Sequence, residues 1–246
     1  MKTAIIQHAI QWGQPAANLQ ELSKLMNQQQ GSDLFVLSET FATGFMTEGA
    51  LADGNTILDW MRHEAHRQDV AIAGSVAFRD DEGLARNRLF FVRPDGTYDY
   101  YDKHHLFSMA GEADTYVAGQ QRVVVTWRGV RLLLQVCYDL RFPVFSRNHG
   151  DYDAILYVAN WPKSRREVWQ TLLKARALEN QCYVVGVNCV GCTSGVDYSG
   201  DSVVLDAYGR TITSCPADSQ ATAVAELDME KLNLFRQKFP VLSDAD

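Results

Sequence analysis

Short apolar runs of strand length alternate along most of this chain with longer stretches whose apolar residues recur at helical spacing. Only architectures that stack helices against sheets satisfy both periods at once, so the pattern predicts an α/β fold. Lys2–Ala9 reads as a strand, Ala16–Gln29 as a helix with Leu19, Leu22, Leu25 and Met26 on one face, and Leu34–Ser38 as a buried strand. Thr56–Gln68 aligns Ile57, Trp60, Met61 and Ala65 before Val70–Phe78 returns to strand. Arg88–Val92 and Thr97–Asp102 flank Pro94-Asp95-Gly96, and Val123–Trp127 and Val130–Cys137 flank Arg128-Gly129, so both pairs predict hairpins. Ala154–Val158, a long helix over Arg165–Asn180 and a strand over Tyr183–Asn188 follow. Ser202–Asp206 and Thr211–Cys215 then bracket Ala207-Tyr208-Gly209, ahead of a strand at Ala223–Leu227 and a helix at Met229–Lys238. Ser164 and Glu167 have the spacing of a capping box at the start of the long helix. Crossover helices mixed with hairpins predict mixed sheets with helices outside, and exclude a solenoid or an all-α bundle. No linker or low-complexity tract interrupts the pattern, so 1–246 is expected to form a single domain.

Charge narrows the partners. Lys and Arg number 23 against 30 Asp and Glu, a net charge of −7, and no basic patch stands out, so neither nucleic acid nor an anionic membrane is an expected partner. The longest apolar runs, such as Val130–Val136, fall far short of the roughly 20 residues of a membrane span. The opening MKTAIIQHAI lacks a small-residue cleavage site and reads as a first strand rather than a secretory signal. Cys137, Cys182, Cys189, Cys192 and Cys215 are an odd, sparse set, expected to be reduced thiols of a cytoplasmic protein.

Reactive groups in α/β sheets gather just past the carboxyl ends of strands. Leu34–Ser38 runs into Glu39, the strand ending at Asp102 into Lys103, and Leu132–Val136 into Cys137. A carboxylate, an ammonium and a thiol can therefore meet on one rim. Each also has a plainer reading: Glu39 as a cap, Lys103 as a solvated strand end, Cys137 as a small buried hydrophobe. The segment from Tyr138 to Pro143 reads as a helix start, and a thiol before a helix N-terminus would have a lowered pKa. That strand, nucleophile, helix order is the arrangement of a hydrolase elbow.

Phe35–Phe45 (FVLSETFATGF), Tyr101–Phe107 (YDKHHLF) and Leu134–Arg147 (LQVCYDLRFPVFSR) resemble the three catalytic blocks of the nitrilase, or carbon-nitrogen hydrolase, superfamily. Arg176–Asn188 (RALENQCYVVGVN) and Gly200–Gly209 (GDSVVLDAYG) resemble its later blocks, in the same order over nearly the whole chain. The resemblance implies an α-β-β-α sandwich and a Glu-Lys-Cys triad falling on Glu39, Lys103 and Cys137, with a second family glutamate on Glu112. The Lys-His-His-Leu-Phe and Cys-Tyr-Asp-Leu-Arg-Phe-Pro blocks, with the ending 235–241 (FRQKFPV), are most similar to the short omega-amidases. Those hydrolyse the terminal amide of 2-oxo acids such as 2-oxoglutaramate and 2-oxosuccinamate.

On that resemblance Cys137 attacks the amide carbonyl, Glu39 relays the proton and later activates water on the thioester, and Lys103 with the Tyr138 N–H holds the oxyanion. Glu112 orients Lys103 or the substrate amide, and no metal or organic cofactor is required. The substrate is then a small amide with a remote carboxylate, which needs a cation. Arg165 and Arg166, at a helix start beyond Asn160-Trp161-Pro162, are the candidates, with Trp161 either walling the pocket or simply packing, and Arg141 suits a structural ion pair. The resemblance also implies a homodimer through outer helices, with the helix after Cys137 and Arg165–Asn180 as candidate faces. The alternatives are an amidase or carbamoylase for another small amide and a non-catalytic metabolite sensor. Cys189-Val190-Gly191-Cys192 with His63 and His66 could be read as a zinc site, but no second C-x-x-C follows. His104 and His105 read as loop histidines satisfied by backbone or water rather than as a general base.

Overall fold

Of the fourteen strands among the described residues, twelve pair into two six-stranded sheets. The computed structural model describes residues 1–46 and 49–244. The first sheet holds β1 (Lys2–Gln7), β2 (Leu34–Val36), β3 (Ala71–Arg79), β4 (Ala85–Val92), β5 (Tyr98–Asp102) and β14 (Ala221–Glu226). In the second are β6 (Val124–Trp127), β7 (Val130–Val136), β8 (Ala154–Ala159), β9 (Tyr183–Asn188), β12 (Val203–Leu205) and β13 (Thr211–Ser214). The remaining two, β10 (Val190–Thr193) and β11 (Val196–Ser199), form a separate hairpin. The helices are α1 (Pro15–Asn27), α2 (Gly54–Gln68), α3 (Glu112–Thr115), α4 (Arg166–Glu179) and α5 (Met229–Lys238). Among the described residues no helix is long and apolar enough to cross a membrane.

The two-residue alternation of strands explains the layering. Ile5, Val36, Leu132, Leu134 and Val136 point into a core shared by both sheets. Their neighbours Ala4, Ile6 and Phe35 instead meet Leu22, Ile57 and Met61 of α1 and α2, while Leu133, Ile155 and Tyr157 meet Trp169 and Leu173 of α4. A strand buried on both faces has no polar side, which is why these runs are nearly continuous in Leu, Ile and Val. The result is the expected α-β-β-α sandwich. Its central pairs, β1 with β2, β2 with β3, β7 with β8 and β8 with β9, are parallel, and antiparallel strands flank them.

The Arg128-Gly129 hairpin is built from two residues with positive φ, 47° and 78°, the conformation that matches a two-residue turn to strand twist. Two expectations are corrected. The capping box is absent: Lys163–Arg165 form a 3-10 turn after Pro162, so α4 starts at Arg166 and Arg165 takes the cap position with no side-chain bond. The segment after Cys137 is a short 3-10 helix over Cys137–Arg141, not an α-helix. Phe142 stands before Pro143, whose ring disfavours helical backbone at the preceding residue, and it is extended. The β10–β11 hairpin was not expected from the sequence, because neither run is long enough to show its period.

Candidate active site

β2, β7, β8 and β9 all discharge their chains on one rim of the sandwich. β5 joins them because two antiparallel steps, β3 to β4 and β4 to β5, return it to the direction of β3. Glu39, Lys103, Cys137 and Asn160 therefore leave strands at the same rim, and all four line one cavity of about 630 Å³.

Glu39 and Lys103 are almost fully buried, at 0% and 1% exposure. Lys103 Nζ donates to Glu39 Oε1 at 2.9 Å and to both oxygens of Glu112 at 3.0 and 2.9 Å. Asn87 Nδ2 joins the same two carboxylates, at 2.8 Å from Glu39 and 3.0 Å from Glu112. The main-chain N–H of Asn160 donates to Glu39 Oε2 at 2.9 Å, and that of Phe107 to Glu112 Oε2 at 2.6 Å. Each buried charge is thus met by opposite charge and by dipoles, as burial demands. Burial alone would lower the lysine's pKa, but Glu39 and Glu112 outweigh it, so Lys103 stays firmly protonated. Glu112 lies behind Lys103 and does not face the cavity.

Cys137 takes a positive φ of 46°, unusual for a residue with a side chain, in a sharp turn straight out of β7. Asp139, fully buried, fastens this turn. Its oxygens accept from Val136 N at 2.9 Å, Tyr101 Oη at 2.8 Å, and His105 N and Nδ1 at 2.9 and 2.8 Å. The elbow is therefore tied to β5 and the loop that carries Lys103. The expected lowering of the thiol's pKa is corrected: burial pushes it well above its ordinary value, and Glu39 adds to this more than Lys103 takes away. A one-turn 3-10 segment offers too little dipole to reverse that. The structure thus sets the Cys137 sulfur beside the Glu39 side chain at the cavity. Tyr138 occupies the second position of that turn, where an N–H has no acceptor within the helix.

Two guanidinium groups also line the cavity. Arg141 lies over the Trp161 ring at 5.3 Å and Arg165 over the Phe107 ring at 5.4 Å. Neither has a carboxylate partner among the described residues, so the structural ion pair expected of Arg141 is corrected. Arg166, expected at the pocket, points away: Asp201 and its ion pair hold it on the outer side of α4. Trp161 both packs and walls the cavity, its indole N–H bonding Arg165 O at 2.8 Å. His104 bonds Gly119 O and stacks on Phe145, and His105 stacks on Phe142. Cys189 is buried and Cys192 exposed, at opposite ends of the β10 segment. Asn87 and Asn160 escaped the sequence reading, as did Tyr198 on the cavity wall. The signal for Asn87 is a lone amide in an apolar strand that starts three residues earlier than its pattern suggested.

The carbon-nitrogen hydrolase family model matches residues 2–237. The chain belongs to the carbon-nitrogen hydrolase family. It is 48% identical over 250 residues to omega-amidase YafV of Yersinia enterocolitica, covering 100% of this chain and 97% of that protein. It is 31% identical to the 2-oxoglutaramate amidase of Bacillus subtilis, over 97% of this chain and 95% of the relative. Among solved structures, a carbon-nitrogen hydrolase superfamily protein of Xanthomonas campestris with an arsenic adduct in its active site superposes with a TM-score of 0.95. That match has 39% identity and covers 100% of this chain and 97% of the other.

Proposed function

We propose that this carbon-nitrogen hydrolase is an omega-amidase, releasing ammonia from the terminal amide of 2-oxo acid amides such as 2-oxoglutaramate. The observation that carries the reading is a single cavity lined by a thiol, a carboxylate and an ammonium and also by two arginines that have no carboxylate partner among the described residues. Burying a substrate carboxylate without a cation would be prohibitive, and a neutral amide would leave both guanidinium groups unused. The similarity to an omega-amidase and a 2-oxoglutaramate amidase over nearly the full length supports the same reading.

In the proposed mechanism Glu39 accepts the Cys137 proton as sulfur attacks the amide carbon, so that no free thiolate need persist in the resting enzyme. Lys103 and the Tyr138 N–H stabilise the tetrahedral oxyanion. Glu39 returns the proton to the departing ammonia, leaving a thioester on Cys137, and then draws a proton from the water that hydrolyses it. Glu112 and Asn87 hold Lys103 and Glu39 in position.

Kinetics on 2-oxoglutaramate against butyramide test the reading. Arg141→Ala or Arg165→Ala should raise KM for the acid by ~10- to 100-fold and scarcely change the neutral amide. An unchanged acid preference in both variants overturns it. The proposal also places the enzyme in the cytoplasm, which suits five unpaired cysteines. It takes a homodimer as the working unit, with the segment after Cys137 and α4 as the candidate faces, α4 exposing Leu178. Light scattering at micromolar concentration returning a monomer mass would refute the dimer.

A further inference from the structure

The β10–β11 hairpin forms part of the cavity wall, and it places one group there that the mechanism above does not use. It springs from the end of β1, where Val190 N donates to His8 O at 3.1 Å. Its register sets Tyr198 opposite Gly191. The Tyr198 ring packs with Ile10 and Cys189, 5.8 Å from the Trp12 ring. Trp12 in turn lies over Gly44, where φ is +85° and a Cβ would fall 2.4 Å from the indole, so only glycine lets the rings close up. Tyr198 is therefore seated against the segment after β1, with Trp12 linking it to Gly44 in the loop after Glu39, and is only 7% exposed.

Its hydroxyl nevertheless has no hydrogen-bond partner among the described residues. Tyr101, Tyr152 and Tyr183 donate theirs to protein oxygens, and Tyr157, also unpaired, is sealed in the core. Tyr198 alone of these five lines the catalytic cavity. A largely buried phenol ordinarily finds a partner, so an open one facing a cavity is a donor waiting for a ligand oxygen. Burial raises its pKa and so disfavours ionisation, as do Cys189, Glu39 and Cys137 nearby, against a smaller opposing effect of Arg165. It is thus a neutral donor within electrostatic reach of Glu39, Cys137 and Arg165. The fixed ring means that little side-chain freedom is lost on binding.

We propose that the Tyr198 hydroxyl donates a hydrogen bond to the 2-oxo oxygen of the substrate while Arg141 and Arg165 hold its carboxylate, making Tyr198 a specificity-determining residue. The inference rests on the omega-amidase reading. A ketone oxygen only accepts, and it lies between the carboxylate and the scissile amide. A 2-amino acid amide would instead bring an ammonium beside two guanidinium groups.

Tyr198→Phe removes one oxygen and keeps the ring on its seat, which an unchanged Tm verifies. The wild type and this variant are assayed on 2-oxoglutaramate and on glutaramate, which has the carboxylate but no oxo group. The expected result is a roughly 10- to 100-fold fall in kcat/KM for 2-oxoglutaramate with glutaramate changed by less than about threefold. An equal fall on both substrates overturns the proposal, because the hydroxyl would then serve the reacting centre or the carboxylate. So does no fall on either. A wild type that does not favour 2-oxoglutaramate over butyramide shows instead that the omega-amidase reading itself has failed.

Discussion

Removing Glu39, the proposed general base, should make the Cys137 thiol chemically more reactive while abolishing turnover. Around the Cys137 thiol stand two carboxylates, Glu39 and Glu112, and one ammonium, Lys103, a net charge of −1. Glu39→Gln brings that sum to zero and keeps the side chain's shape. The thiol's pKa then falls, because Lys103 still favours the thiolate and its strongest opponent besides burial is gone. A unit charge at ~4 Å in an effective dielectric of ~20 is worth about 4 kcal/mol, an upper bound of about three pKa units. A fall of about two units gives ~100-fold more thiolate below the pKa. Nucleophilicity drops with a Brønsted slope of about 0.5, which returns ~10-fold of that gain. Alkylation of Cys137 by iodoacetamide at pH 7 should therefore quicken by ~10-fold, while ammonia release collapses for want of a proton relay. The assay must resolve peptides by mass, because exposed Cys192 also reacts. If alkylation slows in parallel with turnover, the resting enzyme already holds a thiolate paired to its surroundings and the proton-relay account is wrong.

Lys103→Met should lower kcat by at least ~10²-fold, and it leaves two buried carboxylates facing each other, so a stability loss of ~3–5 kcal/mol should appear in urea melts and shrink at low pH as one carboxylate protonates. A variant as stable as the wild type at pH 7 would deny that the lysine is the cluster's counterion. His8 is buried with neither ring nitrogen bonded, and burial lowers its pKa from 6.5 to about 4. The unfolded chain then binds the proton first, so stability falls as pH drops from 6.5 towards 4, by up to ~3 kcal/mol from this residue. His8→Leu should keep or raise stability at pH 7 and flatten that acid limb in a series of urea midpoints; an unchanged slope would place the acid sensitivity elsewhere.

Much of this was readable in the sequence for a physical reason: strand ends are marked by a change from apolar to polar residues, and the polar residues at three such changes, Glu39, Lys103 and Cys137, do line one cavity. Boundaries misled where backbone geometry overrides pattern. Pro162 tightens the entry to α4 and moves Arg165 off the helix, so the two arginines at that start face opposite ways. Asn87 was invisible because its strand begins with small and charged residues, Ala85 and Arg86, before the apolar run. Tyr198 needed the third dimension, since only the contact with Trp12 places it at the cavity. The thiol's ionisation was misjudged because sequence shows the turn after Cys137 but not the carboxylate brought to it from 98 positions earlier.

Glu39 and Lys103 hang from the first sheet and Cys137 from the second, and only a few stitches, among them Asn160 N to Glu39 and Tyr101 to Asp139, cross at the rim. The reacting groups thus read out the spacing and slip of two separately hydrogen-bonded plates. A void cut into the filling between them, as by Leu134→Ala deep among Val36, Phe91 and Leu156, lets the plates settle by fractions of an ångström. Turnover registers such a displacement sooner than unfolding does, because proton transfer is far more sensitive to distance than packing is. In this fold the rate of catalysis is a vernier for the interior.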